Sequence, residues 1–428
     1  MPHSNHRATI FQQESDDISG KNTYICNMNL PRVVIVTKFY YRRGGDCVAA
    51  LGLERMLRDR GHEVAVFAMD YPENLPSQWS AYWPSEVSFS GGGVKGKLAA
   101  IRRTMGTDDV AARFCRLLAD FRPDVVHLHN IHSYLSPVVA REAHKAGVRT
   151  VWTLHDYKLI CPSYSCLRDG AVCELCFTRG SGVLSTRCMK GSLVASALAY
   201  AEARRWSKSR LQRYTDAFIC PSRFMAAKME QGGFSAEKLR HLCNPLSPDM
   251  TESYRSLRRS DSDPGYYCYV GRLSREKGVA TLLEAAATLP YRLKVAGTGP
   301  LADELRSRYA DCPGIEFLGM LDSNQVLELL EGARLSVMPS ECYENNPLGV
   351  IESLCAGTPV VGAGIGGIPE LIDDSRGATF TSGDARSLAR TIEKVWHTTY
   401  DHKAMSLRAL DEFSDSRYYS RLLDIYTE

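Results

Sequence analysis

Long apolar runs are missing from this 428-residue chain, where no stretch approaches the roughly 20 consecutive apolar residues that a membrane-spanning helix needs. Residues 1–30 lack the apolar core of a secretory signal. Their polar opening, MPHSNHRATIFQQESDDISGKN, reads as a disordered extension, with Met28 as an alternative start. A cytoplasmic protein is the expectation. Neither half places G-x-G-x-x-G after its first strand, which argues against a dehydrogenase using NAD. No Asp-x-Asp pair stands at a strand end, so the sequence does not call for a catalytic divalent cation.

What is present is ordinary globular composition, 44% hydrophobic and 24% charged, in a length that suits two domains of roughly 150 to 200 residues each. The net charge of +3 hides a division. Residues 1–264 hold 36 Lys/Arg against 26 Asp/Glu, and residues 265–428 hold 16 against 23. The basic half is expected either to face something anionic (a membrane surface, a lipid phosphate or an acidic glycan) or to be a dispersed surface that aids solubility. Beyond that charge nothing points to nucleic acid. Fourteen cysteines in a cytosolic chain point to thiols or metal rather than to a disulfide framework.

Buried-strand runs at 33–37, 64–68, 124–129, 149–154 and 217–220 alternate with helical patterns at about 46–60, 136–146 and 193–214. The alternation restarts at 266–270 and continues through strands at 293–296, 315–318, 335–338 and 359–361. Such a pattern predicts an α/β protein of two doubly wound, Rossmann-like parallel-sheet domains, residues 31–243 and 265–414, facing one another across a cleft. Residues 244–264, rich in proline, serine and charge, are the expected linker. Residues 415–428 form a last helix, free to cross back to the first domain. Ligands of such folds bind at the carboxyl ends of the strands.

Two constellations stand at strand-to-helix junctions. In Gly271-Arg272-Leu273-Ser274-Arg275-Glu276-Lys277-Gly278, two cations five residues apart beside a helix start can clamp a diphosphate without metal. A basic surface turn has the same composition. In the second, Pro347 suits a helix start, and Leu348, Ile351, Glu352 and Cys355 share one face of that helix. A carboxylate on an apolar stripe needs a partner, and a ribose diol or an internal cation would supply it.

Together with the turn Gly297-Thr298-Gly299-Pro300, the pair Glu344-x7-Glu352 and the Gly271–Gly278 element resemble the family 4 glycosyltransferases, retaining enzymes of the GT-B fold. The chain is similar to the family's capsule, exopolysaccharide or lipopolysaccharide biosynthesis members. The likeness implies that Arg272 and Lys277 hold the donor diphosphate and Glu352 the ribose, with Glu344 beside the sugar ring. Gly319, Met320 and Leu321 would meet the nucleobase, and the backbone of Asn345, Asn346, Pro347 and Leu348 the sugar hydroxyls. Gly44 and Gly45 would lie near donor phosphate, and His155 would contact the sugar. Where the family commonly has Phe-Gly, this chain has Asn345, Asn346 and Pro347, whose two amides are expected to help choose the sugar. The implied reaction moves a hexose from a UDP- or GDP-sugar to a hydroxyl of a glycan or lipid-linked acceptor, with no catalytic cofactor. A sugar-nucleotide epimerase of the same architecture and a non-catalytic sugar-nucleotide binding module are the alternatives.

An insert at about 157–192 carries Cys161, Cys166, Cys173, Cys176 and Cys188. Cys161, Cys173, Cys176 and Cys188 could hold a structural zinc around the single C-x-x-C, or remain thiols, or oxidise to a disulfide. The helix that follows, with Arg204, Arg205, Lys208, Arg210 and Arg213 around Trp206, is either a peripheral contact with an anionic membrane or a solvated face.

Overall fold

The computed structural model describes residues 30–89, 93–257 and 265–428. The expected extension (apart from Leu30) and residues 258–264 of the expected linker lie outside the described residues.

In chain order the first half contributes β1 (Val33–Val36), β2 (Val64–Phe67), β3 (Val125–Leu128), β4 (Arg149–Thr153), the short arms β5 (Leu167–Arg168) and β6 (Ala171–Val172), then β7 (Ala217–Cys220) and β8 (Leu239–His241). Six of these form one parallel sheet in the order β2-β1-β3-β4-β7-β8, while β5 and β6 pair as a separate antiparallel hairpin. The second half contributes β9 (Tyr266–Val270), β10 (Arg292–Ala296), β11 (Ile315–Gly319), β12 (Ser336–Met338), β13 (Val360–Ala363) and β14 (Gly377–Phe380). They form a second parallel sheet, ordered β11-β10-β9-β12-β13-β14. Central strands such as VVIV and AFIC are buried along their whole length because helices cover both faces of each sheet.

Several elements differ from the sequence expectation. The edge strands β8 and β14 are absent from the sequence pattern, since LRH is half-buried throughout, GATF buries only its two end residues, and neither carries a strong apolar run. The helix expected over 193–214 breaks in two, Leu193–Arg205 and Lys208–Tyr214, because the Trp206 indole turns inward and donates to the Thr104 carbonyl at 2.9 Å. The expected linker contains a helix, Pro248–Ser256, started by Ser247 as N-cap and Pro248 in the first turn.

The last helix, Asp415–Thr427, lies on the first sheet, not the second. Leu422, Ile425 and Tyr426 pack with Val33, Ile35, Val125, Val151 and Ile219. Arg60 pairs with Asp415 at 2.6 Å, and His62 Nε2 meets the Tyr419 hydroxyl at 2.8 Å.

In each sheet the winding reverses once, between β1 and β3 and between β9 and β12. Loops leaving neighbouring strands diverge at such a point and open a crevice beyond the carboxyl ends.

Candidate active site

At the second switch point β9 runs into residues 271–278 and β12 into 339–347. The two loops pack closely. Gly278 has φ 65°, and a Cβ there would sit 1.9 Å from the Pro339 carbonyl oxygen, so only glycine fits. Glu341 N donates to the Glu276 carbonyl at 2.9 Å, and Thr281 Oγ1 to the Glu341 carboxylate at 2.6 Å. This brings Lys277 Nζ to 2.5 Å from Glu344 Oε1, which Ser340 Oγ also reaches at 2.8 Å. Burial alone would lower the Lys277 pKa, but the Glu344 carboxylate outweighs it and holds the ammonium above its ordinary value. Arg272 is exposed at the head of the same loop. The turn after β10 closes against it, with Leu273 N donating to Thr298 O at 2.9 Å. Gly319 ends β11 at φ 76° and accepts from Gly297 N at 2.6 Å, leaving Met320 exposed beside Leu321. Arg272, Lys277, Glu344 and the 319–321 turn thus share one end of one sheet.

Pro347 is the N-cap residue of the helix Leu348–Cys355, and Leu348 packs into the core beneath it. Glu352 lies on that helix, and among the described residues its carboxylate has no hydrogen-bond or ion-pair partner. Burial pushes its pKa up to about 7. Arg376, a buried cation of the same domain, is engaged instead by Glu412 at 2.5 Å. No internal cation therefore satisfies Glu352, and the group is left available for a polar ligand.

The expectation for Asn345 and Asn346 needs correction. Asn345 Nδ2 donates to the Leu154 carbonyl of the first domain at 2.9 Å, and its Oδ1 accepts from Ser222 Oγ at 2.9 Å. Asn346 is buried, and its Oδ1 accepts from Asn244 N at 2.9 Å. Asn345 thus binds across the domains and Asn346 binds the first residue of the linker, so both amides are engaged within the protein. Glu370 joins them, accepting from Arg223 N at 2.8 Å and from Phe224 N, and so caps the helix Arg223–Gln231 from the opposite domain. Tyr343 donates to Glu174 of the insert at 2.8 Å.

On the first domain Gly44 caps the helix Gly45–Asp59, and both glycines are exposed; a Cβ at Gly45 would meet nothing within 4 Å. Asp46, one residue on, had not been singled out. Burial alone would raise its pKa, yet Lys38 Nζ at 3.2 Å and Asn130 Nδ2 at 2.8 Å hold it down to about 2. The signal was an acid placed directly after a glycine turn at a switch-point strand. His155 follows β4, with its Nε2 at 2.9 Å from His129 Nδ1. Burial lowers His155 to about 4, so the ring is neutral near pH 7.

The cysteines are neighbours but not a ligand set. Among the described residues no group of three or more His, Cys, Asp or Glu side chains is arranged to hold a metal. The Cys161 thiol pairs with Cys166, a residue outside the expected four, and with Ser163 at 3.2 Å. Cys188 faces Thr186 Oγ1 at 2.6 Å, while Cys173 and Cys176 are half-buried. Among the cations of the expected basic helix, Lys208 donates to Phe177 O at 3.0 Å, Arg210 to Arg205 O at 2.7 Å and Arg205 to Met105 O at 3.3 Å. Three of the five are therefore tied to the protein.

No helix among the described residues is long and apolar enough to cross a membrane. Comparison with known proteins matches residues 251–409 to the family described as glycosyl transferases group 1, and residues 44–245 to the glycosyl transferase 4-like domain. The sulfoquinovosyl transferase SQD2 of Arabidopsis thaliana is 28% identical over 221 residues, 48% of this chain and 43% of that protein. The alpha-maltose-1-phosphate synthase of Mycolicibacterium smegmatis is 30% identical over 206 residues, 42% and 52% of the two chains. The alignments thus span about half the length of these curated relatives. In fold, the chain is similar to Anabaena HepE, solved in complex with UDP, with a TM-score of 0.62 at 18% identity over 92% of this chain and 99% of that one. With both domain matches in chain order and two switch-point sheets facing one another, the chain has the GT-B fold, and its second domain belongs to the glycosyl transferases of group 1.

Proposed function

We propose that the chain transfers a hexose, with retention of configuration, from a nucleoside-diphosphate sugar to a hydroxyl of a glycan or lipid-linked acceptor. One observation carries this reading: Lys277 paired with Glu344 at 2.5 Å at the second switch point, with Arg272 exposed beside it. The cations take the diphosphate, and Glu352 takes the ribose hydroxyls. That HepE was solved with UDP supports a uridine donor, with a guanosine donor as the other candidate. In the proposed course the bond from C1 to the diphosphate oxygen breaks while the acceptor oxygen bonds to C1 from the same face. The acceptor proton passes to the departing phosphate oxygen. The protein contributes positioning and positive charge, and the reading needs no cofactor for the chemistry. A thermal-shift screen of UDP-, GDP- and ADP-sugars followed by NMR of the product's anomeric centre tests it. An inverted product removes retention, and no product from any donor with a mixed acceptor library removes transfer.

A peripheral membrane contact at the inner face of the cell membrane has better support from another helix than from the expected one. Gly93–Met105 exposes Val94 at 85%, Leu98 at 57% and Ile101 at 42%, with Lys95, Lys97 and Arg102 exposed among them and no acidic residue. Sedimentation with anionic but not neutral liposomes supports this contact; equal sedimentation with both removes it. A structural zinc would require Cys161, Cys173, Cys176 and Cys188 to converge from where they now stand. One equivalent of zinc per chain supports it, and metal-free protein with an unchanged melting temperature removes it.

A further inference from the structure

Strand β3 ends in a run of histidines whose arrangement the transfer reading does not use. His127 is wholly buried and has both ring nitrogens engaged, Nδ1 with the Tyr426 hydroxyl at 2.6 Å and Nε2 with Thr153 Oγ1 at 2.7 Å. His129 lies near-parallel to it, with centroids 4.7 Å apart and 17° between planes, and His155 meets His129 edge to edge, with centroids 5.2 Å apart and 19° between planes. The last helix, through Tyr426, thus holds the first ring of a three-ring row whose third ring is the expected sugar-contacting histidine.

The proton count in the row is constrained. Burial disfavours the charged form of His129 and of His155, so each ring carries one proton. His129 Nδ1 and His155 Nε2 stand 2.9 Å apart, and a hydrogen bond between them needs one proton in the gap. The other nitrogen of His129, Nε2, is buried with no hydrogen-bond partner. If the shared proton belonged to His155, the His129 proton would sit on Nε2 as a buried N–H with nothing to receive it. An orphaned buried donor of that kind is rarer and costlier than an under-used acceptor. The favoured arrangement puts the His129 proton on Nδ1, donating to His155 Nε2. The proton of His155 then lies on Nδ1, which has no partner among the described residues.

We infer that His129 is a positioning residue: it locks His155 in the tautomer that offers Nδ1–H as a donor to the sugar in the cleft. This rests on the proposed transfer for its functional half and on the ring geometry alone for its structural half. The two halves are tested separately. Two-bond proton–nitrogen correlation spectra of the full chain with ring-labelled histidine report each tautomer, and the His155 signals are identified by their loss in His155→Gln. The expected result is Nδ1–H for His155 in the unaltered chain and in His129→Asn, whose amide keeps a donor near the Nδ1 position. In His129→Leu, which removes that donor, and in His129→Gln, whose longer side chain carries its amide past the Nδ1 position, His155 is expected to shift toward Nε2–H. Turnover of the donor sugar should fall about tenfold or more in those two variants with little change in KM, and return toward normal in His129→Asn. His155 found as Nε2–H in the unaltered chain overturns the inference whether or not any transfer is detected. A correct tautomer with undiminished turnover in both His129→Leu and His129→Gln overturns the positioning role and leaves the transfer reading standing. A His129→Leu variant that does not fold is replaced by His129→Gln, and the spectrum of the unaltered chain decides in either case.

Discussion

Asn345 donates its side-chain amide to the carbonyl oxygen of Leu154 at 2.9 Å, which ties the loop carrying Glu344 to the strand end carrying His155. The bond crosses from one domain to the other, so the distance between the proposed sugar-ring carboxylate and the proposed sugar-contacting histidine depends on it. With Ser222 on its other end, Asn345 acts as a two-sided latch between the domains.

Removing the latch should open the cleft. Asn345→Ala deletes two hydrogen bonds worth about 1 kcal/mol each and leaves the folded domains intact. Small-angle scattering of the variant is expected to show a larger radius of gyration, and KM for the donor is expected to rise. An unchanged radius together with an unchanged KM would show that the amide does not govern closure.

Lys277 and Glu344 should both be needed for turnover, and Glu344 should weaken the binding of UDP. Lys277→Ala removes an electrostatic donor to the leaving group and is expected to cost about 3 kcal/mol of transition-state stabilisation, or about a hundredfold in turnover. Glu344→Gln removes a negative charge beside the proposed diphosphate site, so UDP should bind about 1 kcal/mol more tightly while turnover falls. Calorimetry with UDP and steady-state kinetics read both. Weaker UDP binding in Glu344→Gln would move the diphosphate away from this pair.

Glu352 gives a pH signature. Its pKa in the folded chain is raised to about 7 from an ordinary 4.5, because burial disfavours the carboxylate. The folded state therefore holds a proton that the unfolded state releases, and the stabilisation present below about pH 4.5 is lost as pH rises through 7. Allowing for its partial exposure, the loss is on the order of 2 kcal/mol. Glu352→Gln should flatten that slope and melt higher than the unaltered chain at pH 8. Because ribose hydroxyls donate to the ionised form, UDP affinity should rise with pH toward 7 in the unaltered chain only. Parallel pH profiles for both proteins would remove Glu352 from the nucleotide site.

The legible parts of this protein are those where physics acts over short sequence distances. VVIV, VVHL and AFIC announce buried parallel strands, and residues 271–278 show their cations and glycines within one loop. Glu352 was legible because helix periodicity alone places it among Leu348, Ile351 and Cys355. Asn345 was misread because its partner, the Leu154 carbonyl, lies 191 positions away and belongs to the backbone, which leaves no side-chain mark in the sequence. Lys38 and Asp46 were missed for a related reason, since neither strand nor helix pattern shows that Asn130 completes their cluster. Cys166 was passed over because spacing favoured the C-x-x-C pair, whereas the turn at Tyr164 and Cys166, both with positive φ, brings its thiol to Cys161.

The last helix offers the cleanest separation of stability from nucleotide binding. Leu422 is fully buried against the first sheet, far in the chain from the strands it covers. Leu422→Ala deletes its buried methyl groups and leaves a cavity, at a cost of about 2–5 kcal/mol. The proposed nucleotide site belongs to the second sheet, which this helix does not cover. UDP affinity should therefore hold while the denaturant midpoint falls. The first domain should also exchange its amide hydrogens faster at β1 and β3, the strands beneath the helix, than at β9 or β12. A loss of UDP affinity matching the loss of stability would mean that the two domains unfold as one unit, with the last helix part of the link between them.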